Sequence, residues 1–400
     1  MNGPSVPMPL QKARLLVLTV CHFAVDSYAT MLAPILPLIV QRQGLSNAAA
    51  GLLGTVVASI GMSQPLLGLW ADRLRPRPFV IAGAFLAAVF TPLLGVAPGY
   101  GTTVLALALG GVGVAAFHPP GFALAGELSG TRRALGLALF AFGGTLALGV
   151  TPLWLSRFAS THGLERLPWL SVPGILLLLL AGRALPPQPR RGGAPSASLL
   201  LAALAPQARL LLLVTAIVAL RSVTSISFGT FLAVLEHERG APAAEAGRLA
   251  LSVYLTAGVI GSLVAAYLAD RMDPKPLIWG GLLLAAPLLW AYLRVPSGWP
   301  AYGLLALGGA MVLSSNSVLV SIVQEAAPRH MSLVSSLPQG FAWGLAGMAL
   351  PLIGHLADRA GMAATLGYVA WLPVLPAVLA AFLPSRPRDQ AAGMAAPRAT

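Results

Sequence analysis

The chain has 400 residues, of which 57% are hydrophobic and only 9% charged, with a formal net charge of +13 and a mean hydropathy of +0.80. A water-soluble domain of this composition would expose large apolar patches, so the composition excludes a soluble enzyme or scaffold and predicts an integral membrane protein. A single cysteine, Cys21, excludes a disulfide framework and a thiolate metal cluster.

A membrane-spanning helix needs ~20 mostly apolar residues. Twelve segments come close to or exceed that length: 13–40, 47–71, 78–97, 102–126, 133–155, 168–184, 208–235, 247–269, 276–294, 300–324, 331–356 and 364–383, numbered here spans 1 to 12. Their apolar residues run all round rather than along one stripe, and Gly and Pro occur inside them, which favours helices over barrel strands. Span 1 is too long for a signal-peptide core and is expected to stay in the membrane. It carries His22 and Asp26, spaced i,i+4 on one helical face, and Tyr28. The loop after span 2 reads GLWADRLRPRP (68–78) and contains Asp72 and Arg73. Span 4 ends in FHPPGFALAGELSG (117–130), where His118 precedes Pro119 and Pro120. Two prolines remove two amide donors, so span 4 is expected to be interrupted and kinked at this point. Glu127 and Arg132 follow on the same side of the membrane. Span 5 contains the small-residue run FAFGGTLALGVTP (140–152), and span 11 the matching run PQGFAWGLAGMALP (338–351); glycines at such spacing let helices approach closely.

Residues 186–207, rich in Pro, Gly, Ser and Arg, are expected to be a cytoplasmic linker between residues 1–185 and 208–384, and residues 385–400 a disordered cytoplasmic tail. Span 7 then places Arg221 at mid-depth. The loop after span 8 reads AYLADRMDPKP (266–276), with Asp270 and Arg271; span 10 carries SSNS (314–317) with Asn316 and ends near Glu325; span 11 carries Gln339, Phe341 and Trp343.

The positive charge follows topology. With a cytoplasmic N-terminus, seventeen of the 25 Lys and Arg residues lie on the inner side, among them Lys12, Arg14, Arg73, Arg132 and Arg271, against seven on the outer side, and this asymmetry predicts that both termini are cytoplasmic. A nucleic-acid partner is therefore not expected. An internal repeat organises the rest: Asp72 and Asp270, Arg73 and Arg271, Glu127 and Glu325, and His118 and Asn316 are all related by one offset of 198 positions. Two six-helix halves repeated in parallel about an axis along the membrane normal follow from it.

Twelve spans in two halves, with G-x-x-A-D-R and basic residues between spans 2 and 3, resemble the major facilitator superfamily over nearly the whole chain. The stretches CHFAVDSYATMLAPILPLI (21–39), GVGVAAFHPPGFALAGELSGTRRALGLALFAFGG (111–144) and SSLPQGFAWG (335–344) resemble its bacterial fosmidomycin-resistance subfamily. That loop motif usually continues with a glycine and two basic residues, where this chain has Arg75, Pro76 and Arg77. The resemblance implies an all-α polytopic fold of two pseudo-symmetric bundles, a central cavity lined by spans 1, 4, 7 and 10, and drug efflux. By that lining, Asp26, His118, Arg221 and Asn316 each come from a cavity helix.

An ionisable group inside the hydrocarbon is costly unless it faces water or a partner. Asp26 with His22, and His118, are accordingly expected to carry protons, because low dielectric and a neighbouring imidazole act in opposite directions on a carboxylate's hold on its proton. Arg221 is expected either to pair with Asp26 or to clamp an anion. Asn316, Gln339, Tyr28 and Trp343 are expected to line the substrate site, one that favours a neutral, zwitterionic or anionic ligand. Asp72, Arg73, Glu127, Arg132, Asp270, Arg271 and Glu325 are expected to form gating networks made in one conformation and broken in the other. No HExxH, no phosphate-binding glycine loop with lysine and no paired histidines at metal spacing occur, which argues against a membrane enzyme, a metal or a cofactor. A channel would repeat around a pore, whereas two halves imply alternating access. The expectation is a secondary active transporter, working as a monomer among lipids of a bacterial inner membrane and driven by the proton gradient, that exports a drug or metabolite by antiport. The alternative is a proton symporter or facilitator importing a small organic anion or neutral metabolite.

Overall fold

The computed structural model describes residues 11–64, 66–67, 76–130, 133–186, 204–327 and 331–385. Among the described residues the regular structure is helical throughout. Eleven helical segments are long and apolar enough to cross a membrane, from Lys12–Gln43 to Met362–Ala380, and the shorter apolar helix Asn47–Gly61 stands at span 2. The loop motif holding Asp72 and Arg73, Arg132, and most of the expected linker and tail lie outside the described residues.

Proline explains where the spans break. Span 1 is two helices, Lys12–Ala29 and Leu32–Gln43. The ring of Pro34 crowds the carbonyl four residues back, at Thr30, and that is where the first helix stops. Span 11 is likewise divided into Met331–Ser336, a π turn at Leu337–Phe341, Ala342–Gly347 and Leu350–Ala360. Here Pro338 lies inside the π turn, where the widened ladder makes room for its ring.

Span 4 departs from expectation. It is one helix, Tyr100–Leu128, that runs through both Pro119 and Pro120 without interruption. Two ladder hydrogen bonds are lost, but span 3 clamps the turn just before them. A Cβ on Gly83 would lie 2.6 Å from the Gly113 carbonyl oxygen and 2.8 Å from the Phe117 nitrogen, so the backbones of spans 3 and 4 touch there. In a membrane, neighbouring helices of this kind let a proline stay inside a helix.

The chain divides into two compact units, Met1–Leu32 with Ser63–Pro195, and Ala33–Met62 with Ser196–Thr400. The second division falls within the expected linker. The first does not follow the repeat, because residues 33–62 pack with the second half. In the first unit, Lys12–Ala29 packs on spans 4 and 5, and spans 3 and 4 pack on each other. In the second, Arg248–Ala269 lies against Trp299–Ala326, and a core of Ile217, Val218, Leu282 and Leu319 fills the interior.

The helix Asn47–Gly61 is bound to span 11 inside this second unit. Glycines permit the approach: a Cβ on Gly51 would collide with the Leu350 carbonyl, and one on Gly354 with the Asn47 carbonyl. The Asp358 carboxylate then caps the helix from outside its own chain segment, with Oδ1 accepting from the Asn47 amide at 2.7 Å and Oδ2 from the Ala48 amide at 3.0 Å. Ser46 satisfies the next amide, that of Ala49, at 3.2 Å. Negative charge at a helix N-terminus is favourable, and the capping bonds use donors that the helix itself leaves free. Thr55 completes the seam by donating to the Gly347 carbonyl at 2.6 Å.

Asp358→Ala should lower stability by about 1 kcal/mol, the usual cost of a lost cap, and Gly354→Val should lower it more. Thermal unfolding of the purified protein in detergent checks this; unchanged midpoints for both variants would contradict the seam as described.

Candidate functional site

Two of the polar clusters inside the spans, one in each unit, contain residues that the sequence singles out. In the first, span 1 turns Asp26 and His22 to the same side, with Nε2 of His22 at 3.4 Å from Oδ2 of Asp26. Span 4 brings Nε2 of His118 to 3.1 Å from the other oxygen, Oδ1. The three side chains are 14%, 4% and 20% exposed, so this carboxylate sits largely out of water.

The far side of each imidazole is committed. Nδ1 of His22 lies 2.7 Å from the Phe140 carbonyl oxygen, and Nδ1 of His118 lies 2.8 Å from that of Val114, one turn back in its own helix. A carbonyl only accepts, so Nδ1 carries the hydrogen in both rings and Nε2 of both is turned to Asp26. His118 therefore does not cap the carbonyls that Pro119 and Pro120 strand, which belong to Ala115 and Ala116.

Aromatic rings wall the cluster. Phe140 stacks on His22 with centroids 4.2 Å apart and planes 21° apart, while Phe117 and Phe122 approach the same ring at 5.8 Å. Span 5 closes the site through its glycine pair. A Cβ on Gly144 would collide with Oδ2 of Asp26 and come within 2.6 Å of Nε2 of His22, and one on Gly143 would meet the Thr19 carbonyl. The small-residue run that the sequence suggests for packing is thus also what admits the carboxylate.

The histidine pair corrects the expectation that no two histidines stand at metal spacing: the ligating atoms of His22, Asp26 and His118 all lie within 4.8 Å of one another. The two imidazoles address opposite oxygens, so the carboxylate lies between them rather than beside them around a common centre. That arrangement suits protons bridging nitrogen to oxygen better than one shared ion.

The second cluster surrounds Arg221 on span 7, which is completely buried. Its Nη2 donates to Ser222 Oγ at 3.2 Å and to Asn316 Oδ1 at 3.3 Å, and Nη1 donates to the Val312 carbonyl at 3.5 Å. The guanidinium lies 5.8 Å from the ring centroid of Trp343, within cation–π range. Nε has no partner, and neither has the buried hydroxyl of Tyr254, which lies within electrostatic reach of the guanidinium. Among the described residues of this unit no carboxylate pairs with Arg221.

Of the residues expected to line a substrate site, Asn316 and Trp343 join Arg221. Gln339 is exposed in the π turn, apart from the guanidinium's contacts. Tyr28 is buried, donates its hydroxyl to the Leu170 carbonyl at 2.7 Å and packs against Gly174, so it braces spans 1 and 6. Of the expected gating residues, Asp270 caps the helix Arg248–Ala269 at its end, and Arg271 lies 3.5 Å from the Tyr267 ring while donating to its carbonyl at 2.9 Å. Arg271 thus engages a ring and a carbonyl rather than an acid. Glu127 and Glu325 stand in the last turns of Tyr100–Leu128 and Trp299–Ala326. Sequence reasoning did not single out Phe140, Gly144 as a site residue, or Tyr254.

The Major Facilitator Superfamily matches residues 18–351, most of the chain. The protein belongs to that superfamily. It is 27% identical over 383 residues to the uncharacterized MFS-type transporter YfnC of Bacillus subtilis (strain 168), covering 93% of this chain and 92% of that one. It is 25% identical over 376 residues to the fosmidomycin resistance protein of Escherichia coli (strain K12), covering 92% and 91%. Its fold is that of a bacterial homolog of the human lysosomal transporter Spinster in an inward-facing, unoccupied conformation, with a TM-score of 0.72 at 16% identity over 93% of this chain and 96% of the other. The peptide transporter POT in complex with sulfate gives the same TM-score and identity over 92% and 93%. The superfamily protein is thus a multi-span membrane transporter.

Gly144→Ala should place a methyl group against Asp26 and His22 and reduce transport by about tenfold or more, as misplacement of a reacting group does, while Gly280→Ala, whose Cβ would meet nothing within 4 Å, should not. Uptake or efflux in vesicles with matched protein levels checks this; equal activity of the two variants would contradict the close approach of span 5.

Proposed function

We propose that the transporter is proton-coupled, that Asp26 with His22 and His118 carries the protons, and that Arg221 with Asn316 and Trp343 holds an anionic group of the substrate. The observation that carries the reading is a carboxylate buried inside a span with an imidazole on each oxygen. A group of this kind exchanges protons within the working pH range and couples that exchange to its surroundings. The buried guanidinium with a free Nε and no acid beside it supports an anionic ligand, since a planar fork of donors binds carboxylate or phosphonate through two bonds.

Outward movement, with protons entering as the compound leaves, is supported by the name of the Escherichia coli relative, a resistance protein. Both well-covered relatives are bacterial, which supports the bacterial cytoplasmic membrane as the location. The reading needs no cofactor and no second chain.

In everted vesicles or proteoliposomes carrying a pH-sensitive dye, addition of phosphonates and organic acids should produce compound-dependent proton movement that Asp26→Asn abolishes. Transport of a labelled compound that ignores the proton gradient and survives Asp26→Asn would contradict the reading.

A further inference from the structure

We propose that the Asp26 cluster holds two exchangeable protons in the arrangement seen here, and that loss of the proton between Asp26 and His118 frees that ring from span 1. The inference rests on the proton-coupled reading of this site and adds its capacity.

The count follows from hydrogen-bond direction. Nδ1 of each ring donates to a backbone carbonyl, so each ring is either neutral with a bare Nε2 or an imidazolium with a hydrogen on Nε2. Among the described residues the carboxylate has no other ion-pair partner. Span 4 presents His118, Phe117 and Phe122 to this side of span 1; span 5 presents Phe140 and Gly144; span 6 meets span 1 two residues further on, where Gly174 packs against Tyr28. Among the described residues, the charged groups acting on Asp26 are His118 and His22, and on His118 it is Asp26.

With no added proton, a buried anion faces two nitrogen lone pairs at 3.1 and 3.4 Å, and nothing compensates it. With one, a single contact is made and the second lone pair still faces the carboxylate. With two, both contacts are satisfied. This holds whether both protons sit on the rings or one sits on the carboxyl, and the cluster carries one positive charge either way.

The two imidazoles are not equally held. His22 is 3% exposed, stacked on Phe140 and bonded to its carbonyl, so span 5 fixes it against span 1. His118 has a more exposed side chain, and its other bond is to Val114 in its own helix. Once a proton leaves the His118–Asp26 contact, this ring can turn away without breaking a bond to another helix. The Asp26–His118 contact is the polar part of a seam in which the His22 ring also meets Phe117, His118 and Phe122, so proton loss removes that polar part and leaves the ring contacts.

The test uses the full-length protein in lipid bilayers, labelled with [15N]histidine, across about pH 5 to 9, the range in which histidine titrates. His22→Gln and His118→Gln serve to assign two of the six histidines. A carboxyl infrared band removed by Asp26→Asn counts any proton held on Asp26. The expected result is a total of two protons on Nε2 and carboxyl sites at the acid end, lost as the pH rises, and an Nδ1–H tautomer in each ring when neutral. A total of one or none in the folded protein, or a neutral Nε2–H tautomer in either ring, would overturn the proposal. No transported compound is needed, so a protein that fails to couple transport to protons can still show the count, and a proton-driven transporter can still fail it.

Discussion

A carboxylate that enters the hydrocarbon of a membrane has to be compensated where it stands, because no water is at hand to solvate it. Much of the first unit can be understood from that constraint at Asp26. Compensation by His22 requires the two residues on one face of an α-helix, four apart, and Lys12–Ala29 supplies it. Compensation by His118 requires span 4 to stay helical through two prolines, since a kink at Pro119 would swing the ring away. The tight backbone contact of spans 3 and 4 at Gly83 and Gly113 holds that turn in place. Span 5 then has to lie closely over the pair, which Gly143 and Gly144 allow and which puts the Phe140 carbonyl on His22.

The second unit meets the same constraint with the opposite sign and solves it less completely. Arg221 is compensated by a carbonyl, a hydroxyl, an amide oxygen and an aromatic face, all neutral. Dipoles stabilise a guanidinium but leave its charge in place, and one of its donors is left over. The two repeats have therefore diverged at equivalent depths: His118, which meets a carboxylate, corresponds by the repeat offset to Asn316, which meets a guanidinium.

The all-helical, multi-span architecture was legible from hydropathy alone, because a span must hide every backbone polar group and only a long apolar helix does so locally. His22 and Asp26 were legible as a pair for the same reason, since helical spacing is local. The meeting of His118 with Asp26 was not, because it depends on how spans 1 and 4 pack; the sequence placed both on cavity helices only through the family resemblance. The two prolines of span 4 do not break it as expected, whereas the helix is interrupted near Pro34 in span 1 and near Pro338 in span 11. The difference lies in the neighbours: Gly83 braces the turn before Pro119, whereas span 1 simply ends at the carbonyl that Pro34 crowds. Nor does the repeat reveal that residues 33–62 pack with the second half, since that depends on Asp358 capping Asn47–Gly61 from a segment some 300 residues away along the chain.

The most direct measurement is proton release on binding. Purified protein in weakly buffered detergent solution near neutral pH would be mixed with a transported compound and followed with a pH dye. If the Asp26 cluster links protons to substrate by exchange, protons should be released in amounts comparable to the protein, and Asp26→Asn should bind the compound without releasing any. Binding detected by thermal shift in the parent protein with no proton release, or release that persists in Asp26→Asn, would contradict the account.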